Sequence, residues 1–194
     1  MTPAVAKAIF ILGGITWFVI RYPHQRRSWR TPIRSSARDW RETILLAISL
    51  TGLGIVPCLY VATGLPRIAD HRFFPELAWA GTLVFAWALW LFYRTHADLG
   101  RNWSVSLEVR DSHALVTAGI YRHIRHPLYA AFWLWAIAQA LLLPNWVAGP
   151  AGLIGFGTLF FFRVGREEQL MIETFGEEYR AYMRQTARLV PFLY

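Results

Sequence analysis

Five apolar blocks, separated by connections rich in Arg, set the limits on how this chain can fold. They cover residues 4–20, 44–63, 77–93, 128–143 and 146–162. A bilayer-spanning helix needs roughly 17–25 residues, and each of the last two blocks is only about the minimum. Only 16% of residues are charged, against about 25% in an ordinary soluble domain. Ten Trp, eight Tyr and thirteen Phe add the aromatic excess found at bilayer interfaces. The reading is one all-α domain over 1–194, an integral membrane protein with five transmembrane helices.

The basic residues set the expected orientation. Seven lie in 21–41, five in 94–127 and five in 163–188, against three assigned to the other side, Lys7, Arg67 and Arg72. Loops rich in Arg stay on the cytosolic side. The N-terminus is therefore expected outside, and the C-terminus and the 94–127 loop in the cytosol. The first block runs into Arg21-Tyr22-Pro23 with no small-residue cleavage site, so it is expected to be retained as a span. The net charge of +8 brings no nucleic-acid signature with it. An anionic bilayer explains it better, and no nucleic-acid partner is expected.

Local signals refine the spans. Pro57 lies inside the second block and predicts a kink or a carbonyl without its helical donor. Pro144-Asn145 predicts a tight turn that makes the fourth and fifth blocks a hairpin, and Gly119 marks a turn in the loop before the fourth block. Gly152, Gly155 and Gly157 lack the strand-to-helix setting of a dinucleotide loop and predict close helix packing. Residues 163–188 alternate charged and apolar groups at helical spacing. They predict a separate cytosolic amphipathic C-terminal helix, broken near Gly176.

Chemistry concentrates in residues 113–129, which hold His113, His123, His126, Tyr121 and Tyr129. The three His match no zinc-ligand spacing and no Cys is nearby, so no metal is expected. Ser104, Ser106 and Ser112 have no triad setting. Ionisable groups at the mouth of a membrane hairpin are costly unless paired, which makes them functional candidates. Arg163 and Glu167 stand one helical turn apart where the fifth block ends. From residues alone that pair reads equally as a structural i,i+4 bridge or as part of a site.

Several stretches together resemble one family. They are Gly100-Arg101-Asn102-Trp103-Ser104, His113-x-Leu115-Val116-Thr117-x-Gly119-x-Tyr121, Arg125-His126-Pro127-x-Tyr129, Glu167-Glu168 and Phe175-Gly176-Glu177-Glu178-Tyr179-x-x-Tyr182. In combination they resemble the isoprenylcysteine carboxyl methyltransferase family, whose short prokaryotic members share a five-span layout. The resemblance implies a methyltransferase with S-adenosyl-L-methionine as methyl donor and S-adenosyl-L-homocysteine as product. It further implies cofactor contacts at His113, Ala114, Leu115, Val116, Tyr121, His126, Pro127, Leu128, Tyr129 and Glu167, with Glu108 at the approximate place of another. Arg163 would bind the carboxylate of a lipidic, prenylated acceptor and serve as the catalytic residue. Arg122 and His123 rank as loop-surface residues.

Carboxyl methylation suits these residues. An α-carboxyl ionises at roughly pH 3.3–3.7, so no general base is needed at neutral pH. Alignment, exclusion of water and an Arg for the carboxylate are needed instead. Rival readings are a phospholipid amine N-methyltransferase with His123 or Glu168 as base, a nicotinamide-dependent membrane reductase, and a non-catalytic binding protein.

Overall fold

The computed structural model describes residues 1–28, 35–36, 39–99, 108–109 and 115–191. The described chain is helical apart from one short ladder. In order come α1 (Pro3–Ser28), β1 (Ser35–Ser36), α2 (Trp40–Leu50), a π-helical turn (Thr51–Ile55), α3 (Val56–Thr63), α4 (Pro75–Leu99), β2 (Glu108–Val109), α5 (Pro127–Leu142), α6 (Ala151–Phe175) and α7 (Glu177–Gln185). The ladder is antiparallel, with Ser35 opposite Val109 and Ser36 opposite Glu108. Among the described residues, three helical columns are long and apolar enough to cross a membrane: Pro3–Arg26, Trp40–Thr63 and Pro75–Leu99. This is an integral membrane protein by its spans.

The columns pack in a definite order. α5 lies between α4 and α6, α1 runs along α4, and the α2–α3 column runs along α6. Phe10, Phe85, Trp135 and Phe156 are core residues where α1, α4, α5 and α6 converge. α5 has 16 residues, about 24 Å at 1.5 Å per residue, short of a hydrocarbon core of about 30 Å. α4 has 25 residues and extends about 37 Å. The difference leaves room at one end for the loop before α5. Asp98, in the last turn of α4, holds that loop by accepting from the Ile120 amide at 2.8 Å. Gly119 has φ 61°, and a Cβ there would lie 2.3 Å from the Asp98 carboxylate. The expected turn at Gly119 is thus a left-handed position pressed against a carboxylate.

Pro57 has the expected effect. The Val56 amide donates to Thr51 rather than Gly52, making the preceding turn π-helical. A π-type donor to the Gly52 carbonyl would be residue 57, and Pro has no N–H. Gln139, fully buried on α5, supplies the missing bond: its Nε2 donates to Gly52 O at 3.0 Å and to Ala148 O at 2.7 Å. The second column can thus change pitch in an apolar setting without leaving that carbonyl unpaired.

The glycines of the fifth block serve packing, as expected. A Cβ on Gly155 would meet the Ile48 carbonyl at 2.8 Å and the Gly52 Cα at 3.1 Å. A Cβ on Gly52 would meet the Ala151 carbonyl at 2.3 Å. The π-helical turn and α6 therefore meet backbone to backbone, with the columns antiparallel.

Three boundaries need correction. α1 continues through Pro23 to Ser28, although 21–41 reads as a loop from its charge. The fifth helix starts at Ala151, not 146, because Asn145 holds residues 145–148 in a turn. Its Oδ1 accepts from the Val147 and Ala148 amides at 3.0 and 2.9 Å, and its Nδ2 donates to Pro66 O and Asp70 Oδ1. The fifth apolar block and the first part of the amphipathic stretch are also one helix. α6 runs unbroken through Arg163 to Phe175, since a change from apolar to charged residues does not interrupt backbone hydrogen bonding. The break comes at Gly176, as expected, with φ 58° and ψ −127°.

The contact between Gly52 and Gly155 predicts opposite outcomes for two substitutions on α6. Gly155→Ala forces the backbones apart and should cost about 1–3 kcal/mol. Gly165→Ala, at an exposed position with no heavy atom within 4 Å of its Cβ, should be neutral or stabilising by up to about 1 kcal/mol. Thermal unfolding in detergent compares them directly.

Candidate active site

One end of the bundle gathers the polar residues of α2, α5, α6 and α7. Glu168 is the hub of the tightest cluster. It is 5% exposed and meets three cations or potential cations. Arg125 Nε donates to its Oε1 at 3.2 Å, Arg188 Nη2 donates to its Oε2 at 2.7 Å, and His126 Nε2 lies 3.2 Å from Oε1. Burial pushes the Glu168 carboxyl up, but the hydrogen bonds and charges of His126 and Arg188 outweigh burial and hold it at about 2.

These contacts fix the C-terminal segment to the loop before α5. Arg125 Nη1 also donates to the carbonyls of Met183 and Thr186. The backbone repeats the connection: the Arg125 amide donates to Ala187 O at 2.9 Å and the His126 amide to Arg188 O at 3.0 Å. Tyr182, buried on α7, donates from its hydroxyl to Tyr121 O at 2.6 Å. Four elements distant in sequence are thereby joined around one carboxylate.

The second cluster sits on the next residue of α6. Glu167 accepts from the Tyr129 hydroxyl, lies 3.8 Å from Arg163 Nε and lies 3.8 Å from His126 Nδ1. On the other side of Arg163, Glu42 of α2 approaches Nη2 at 3.4 Å. Glu42 is 1% exposed. Asp39, the N-cap of α2, accepts from the Glu42 amide at 2.8 Å and pairs with Arg166 at 3.1 Å. The Tyr129 ring stacks on His126 and contacts Phe156 and Phe160. Arg163 thus lies between two carboxylates where the apolar part of α6 ends.

Most of the described site residues come together. His126, Tyr129, Glu167 and Arg163 form one cluster, and Pro127 opens α5 as its first residue. Tyr121 is buried. Burial pushes its phenol above the ordinary range, with Tyr182, Glu167 and Asp98 adding to the shift, so it lies within electrostatic reach of Glu167. Leu128 packs instead with Leu91, Phe92 and Ala131. Leu115 and Val116 are half-buried at the start of the described loop. His113, Ala114 and the Glu108 side chain lie outside the described residues. Arg122 and His123 are exposed, as expected. They line a cavity of ≈ 530 Å³ with Arg125, Arg184 and Arg188. No metal-holding group of His, Cys or acidic residues occurs among the described residues.

Sequence reasoning missed Glu42, Arg125 and Arg188 as site residues. It admitted Glu168 only as a base in a rival reading. Arg125 could have been flagged, since it sits in the motif beside His126. Glu42 carried no local signal.

Glu168→Gln should destabilise the fold by about 3 kcal/mol at neutral pH, because the largely buried Arg125 and the half-buried Arg188 lose their counter-charge. Amide exchange should rise in 186–188. The carboxyl's folded value of about 2 lies below its ordinary 4.5. Its contribution is therefore full above about pH 4.5 and is lost as pH falls toward 2. Wild-type and variant unfolding temperatures should converge across that window.

Comparison with known proteins finds similarity to one family. Residues 78–173 match the model of the isoprenylcysteine carboxyl methyltransferase family. The chain is 31% identical over 133 residues to protein-S-isoprenylcysteine O-methyltransferase of Dictyostelium discoideum, covering 63% of this chain and 54% of that protein. It is 32% identical over 132 residues to the Homo sapiens protein of the same name, covering 64% of this chain and 46% of the other. The chain thus spans about half the length of these curated relatives. A solved structure of the eukaryotic intramembrane Ras methyltransferase is similar with a TM-score of 0.55 at 25% identity, over 81% of this chain and 55% of that one. Over the stretch that carries His126, Tyr129, Arg163 and Glu167, this chain matches the isoprenylcysteine carboxyl methyltransferase family.

Proposed function

We propose that this chain transfers a methyl group to the carboxylate of an isoprenylcysteine-like lipid at the membrane interface. The observation that carries the reading is Arg163. It is a nearly buried guanidinium, 11% exposed at its side chain, placed where an apolar helix segment gives way to a polar cluster. A prenyl chain would lie along the apolar part of the bundle while its carboxylate meets that guanidinium.

The donor fits the charges present. Glu167 brings a carboxylate to the cluster beside Tyr129 and His126. S-adenosyl-L-methionine carries a positive sulfonium, which such a cluster would complement. Glu167, Tyr129, His126 and Tyr121 would hold it, with His113, Ala114, Leu115, Val116, Pro127, Leu128 and Glu108 completing the contacts implied by the family. Bound there, the donor supplies an electrophilic methyl group. An acceptor oxygen forms the new O–CH3 bond as the S–CH3 bond breaks, and the sulfonium becomes a neutral thioether. No proton moves.

The chain's work is therefore positional. Arg163 binds the carboxylate through fixed donors, which suits planar recognition. Tyr129 holds Glu167, and the Glu168 cluster fixes the loop that carries His126 and Tyr129. In-line alignment of this kind supplies most of the rate. In the bilayer the five apolar blocks act as five spans, with the N-terminus outside and the site facing the cytosol.

Arg163→Ala should reduce methylation of a prenylcysteine acid by 10²-fold or more, on the order expected for a misplaced reactant, while S-adenosylhomocysteine still binds. Unchanged turnover would remove Arg163 from the mechanism. The rate should also be flat with pH near neutrality, since the acceptor is already ionised. A rate that falls as pH drops below a base's pKa would favour an amine acceptor.

A further inference from the structure

Glu42 lies outside the family-matched segment, residues 78–173, yet its carboxylate reaches Arg163 from another helix. We propose that Glu42 is a positioning residue that holds the Arg163 guanidinium in line for the acceptor carboxylate. This inference rests on the reading given under Proposed function.

Three observations support it. First, Glu42 is 1% exposed and lies 3.4 Å from Arg163 Nη2. A carboxylate that deeply buried is retained at a cost unless it is paired. Second, the α2–α6 contact already has an ion pair nearer the solvent, Asp39 with Arg166 at 3.1 Å, so docking of the helices does not require a second pair at depth. Third, Arg163 Nε is buried without a hydrogen-bond partner, and Glu167 stands 3.8 Å from it. Without Glu42, the guanidinium is free to turn fully onto Glu167, its neighbour on the same helix face. That movement would withdraw Arg163 from the acceptor and compete with Tyr129 for Glu167.

Held from both sides, the guanidinium presents its remaining N–H groups in one direction. Glu42 also moderates the positive charge at Arg163. The acceptor carboxylate is thereby bound without losing the electron density it needs to attack. The backbone contact of Gly52 with Gly155 sets this distance, because it fixes how closely the two columns approach.

The test combines kinetics with a stability cycle. Glu42→Gln keeps the side chain's size and an accepting oxygen but removes the charge. It should lower kcat by tenfold or more, without a rise in acceptor KM and without change in S-adenosylhomocysteine affinity. Asp39→Asn keeps the N-cap, removes the outer ion pair and should leave kcat unchanged. Equal losses in the two variants would mean that both acidic residues only dock α2, and would overturn the inference. So would wild-type kcat in Glu42→Gln. If Glu42→Gln does not fold, Glu42→Asp is measured instead, and a wild-type kcat there overturns the inference equally. A double-mutant cycle of Glu42→Gln with Arg163→Gln, read by thermal unfolding, needs no acceptor. Absence of coupling overturns the inference even where carboxyl methylation holds. A wild-type protein that labels no prenylcysteine acid overturns that reading even where the pair is coupled.

Discussion

The close approach of α6 to the π-helical turn is the contact on which the site depends. Gly52 and Gly155 allow two backbones to meet where any Cβ would force them apart. From that contact the antiparallel columns run outward to Glu42 on one and Arg163 on the other. The approach is possible because Pro57 unsettles the helix at this point and Gln139 satisfies the Gly52 carbonyl. A kink, a buried amide and a pair of glycines thus set the separation of two charged groups about two turns of helix away. In an apolar medium that separation matters greatly, since a buried charge without its partner is costly.

The second organising feature is the continuity of α6. One rigid helix carries the apolar segment, then Arg163, then Glu167 and Glu168. Arg163, Glu167 and Glu168 therefore keep fixed spacings. Glu167 and Glu168 are adjacent in sequence and so point to different sides of the helix. One joins the Arg163 cluster. The other gathers Arg125, His126 and Arg188. His126 touches both, which ties the clamp to the site.

Much of this was legible in the sequence. The columns, the disturbance at Pro57, the packing role of the glycines, the turn at Gly119 and the break at Gly176 each rest on local chemistry, and local chemistry is what a sequence displays. The motif around His126 and Tyr129 pointed to the end of the bundle where the polar clusters gather. The continuity of α6 was hidden because composition changes at Arg163 while helical hydrogen bonding does not. The turn at Pro144-Asn145 was in view, but the bonds from Asn145 to Pro66 and Asp70 were hidden, because those partners lie far away in the chain. Glu42 was hidden most completely. It stands just before the second apolar block and pairs with a residue on another helix, so neither spacing nor periodicity marks it. The Glu168 cluster was half visible: both acids were in view, but the partners Arg125 and Arg188 come from two other segments.

Methylation at a carboxylate is the step proposed for this chain. It is tested by the chemical stability of the transferred label. Membranes or detergent-solubilised protein would be given methyl-labelled S-adenosylmethionine with a prenylcysteine acid, and the product treated with mild alkali. A methyl ester releases its label as volatile methanol, which is the result expected. Label that remains bound to the product through alkali would mark an N-methyl or S-methyl linkage and would contradict the account.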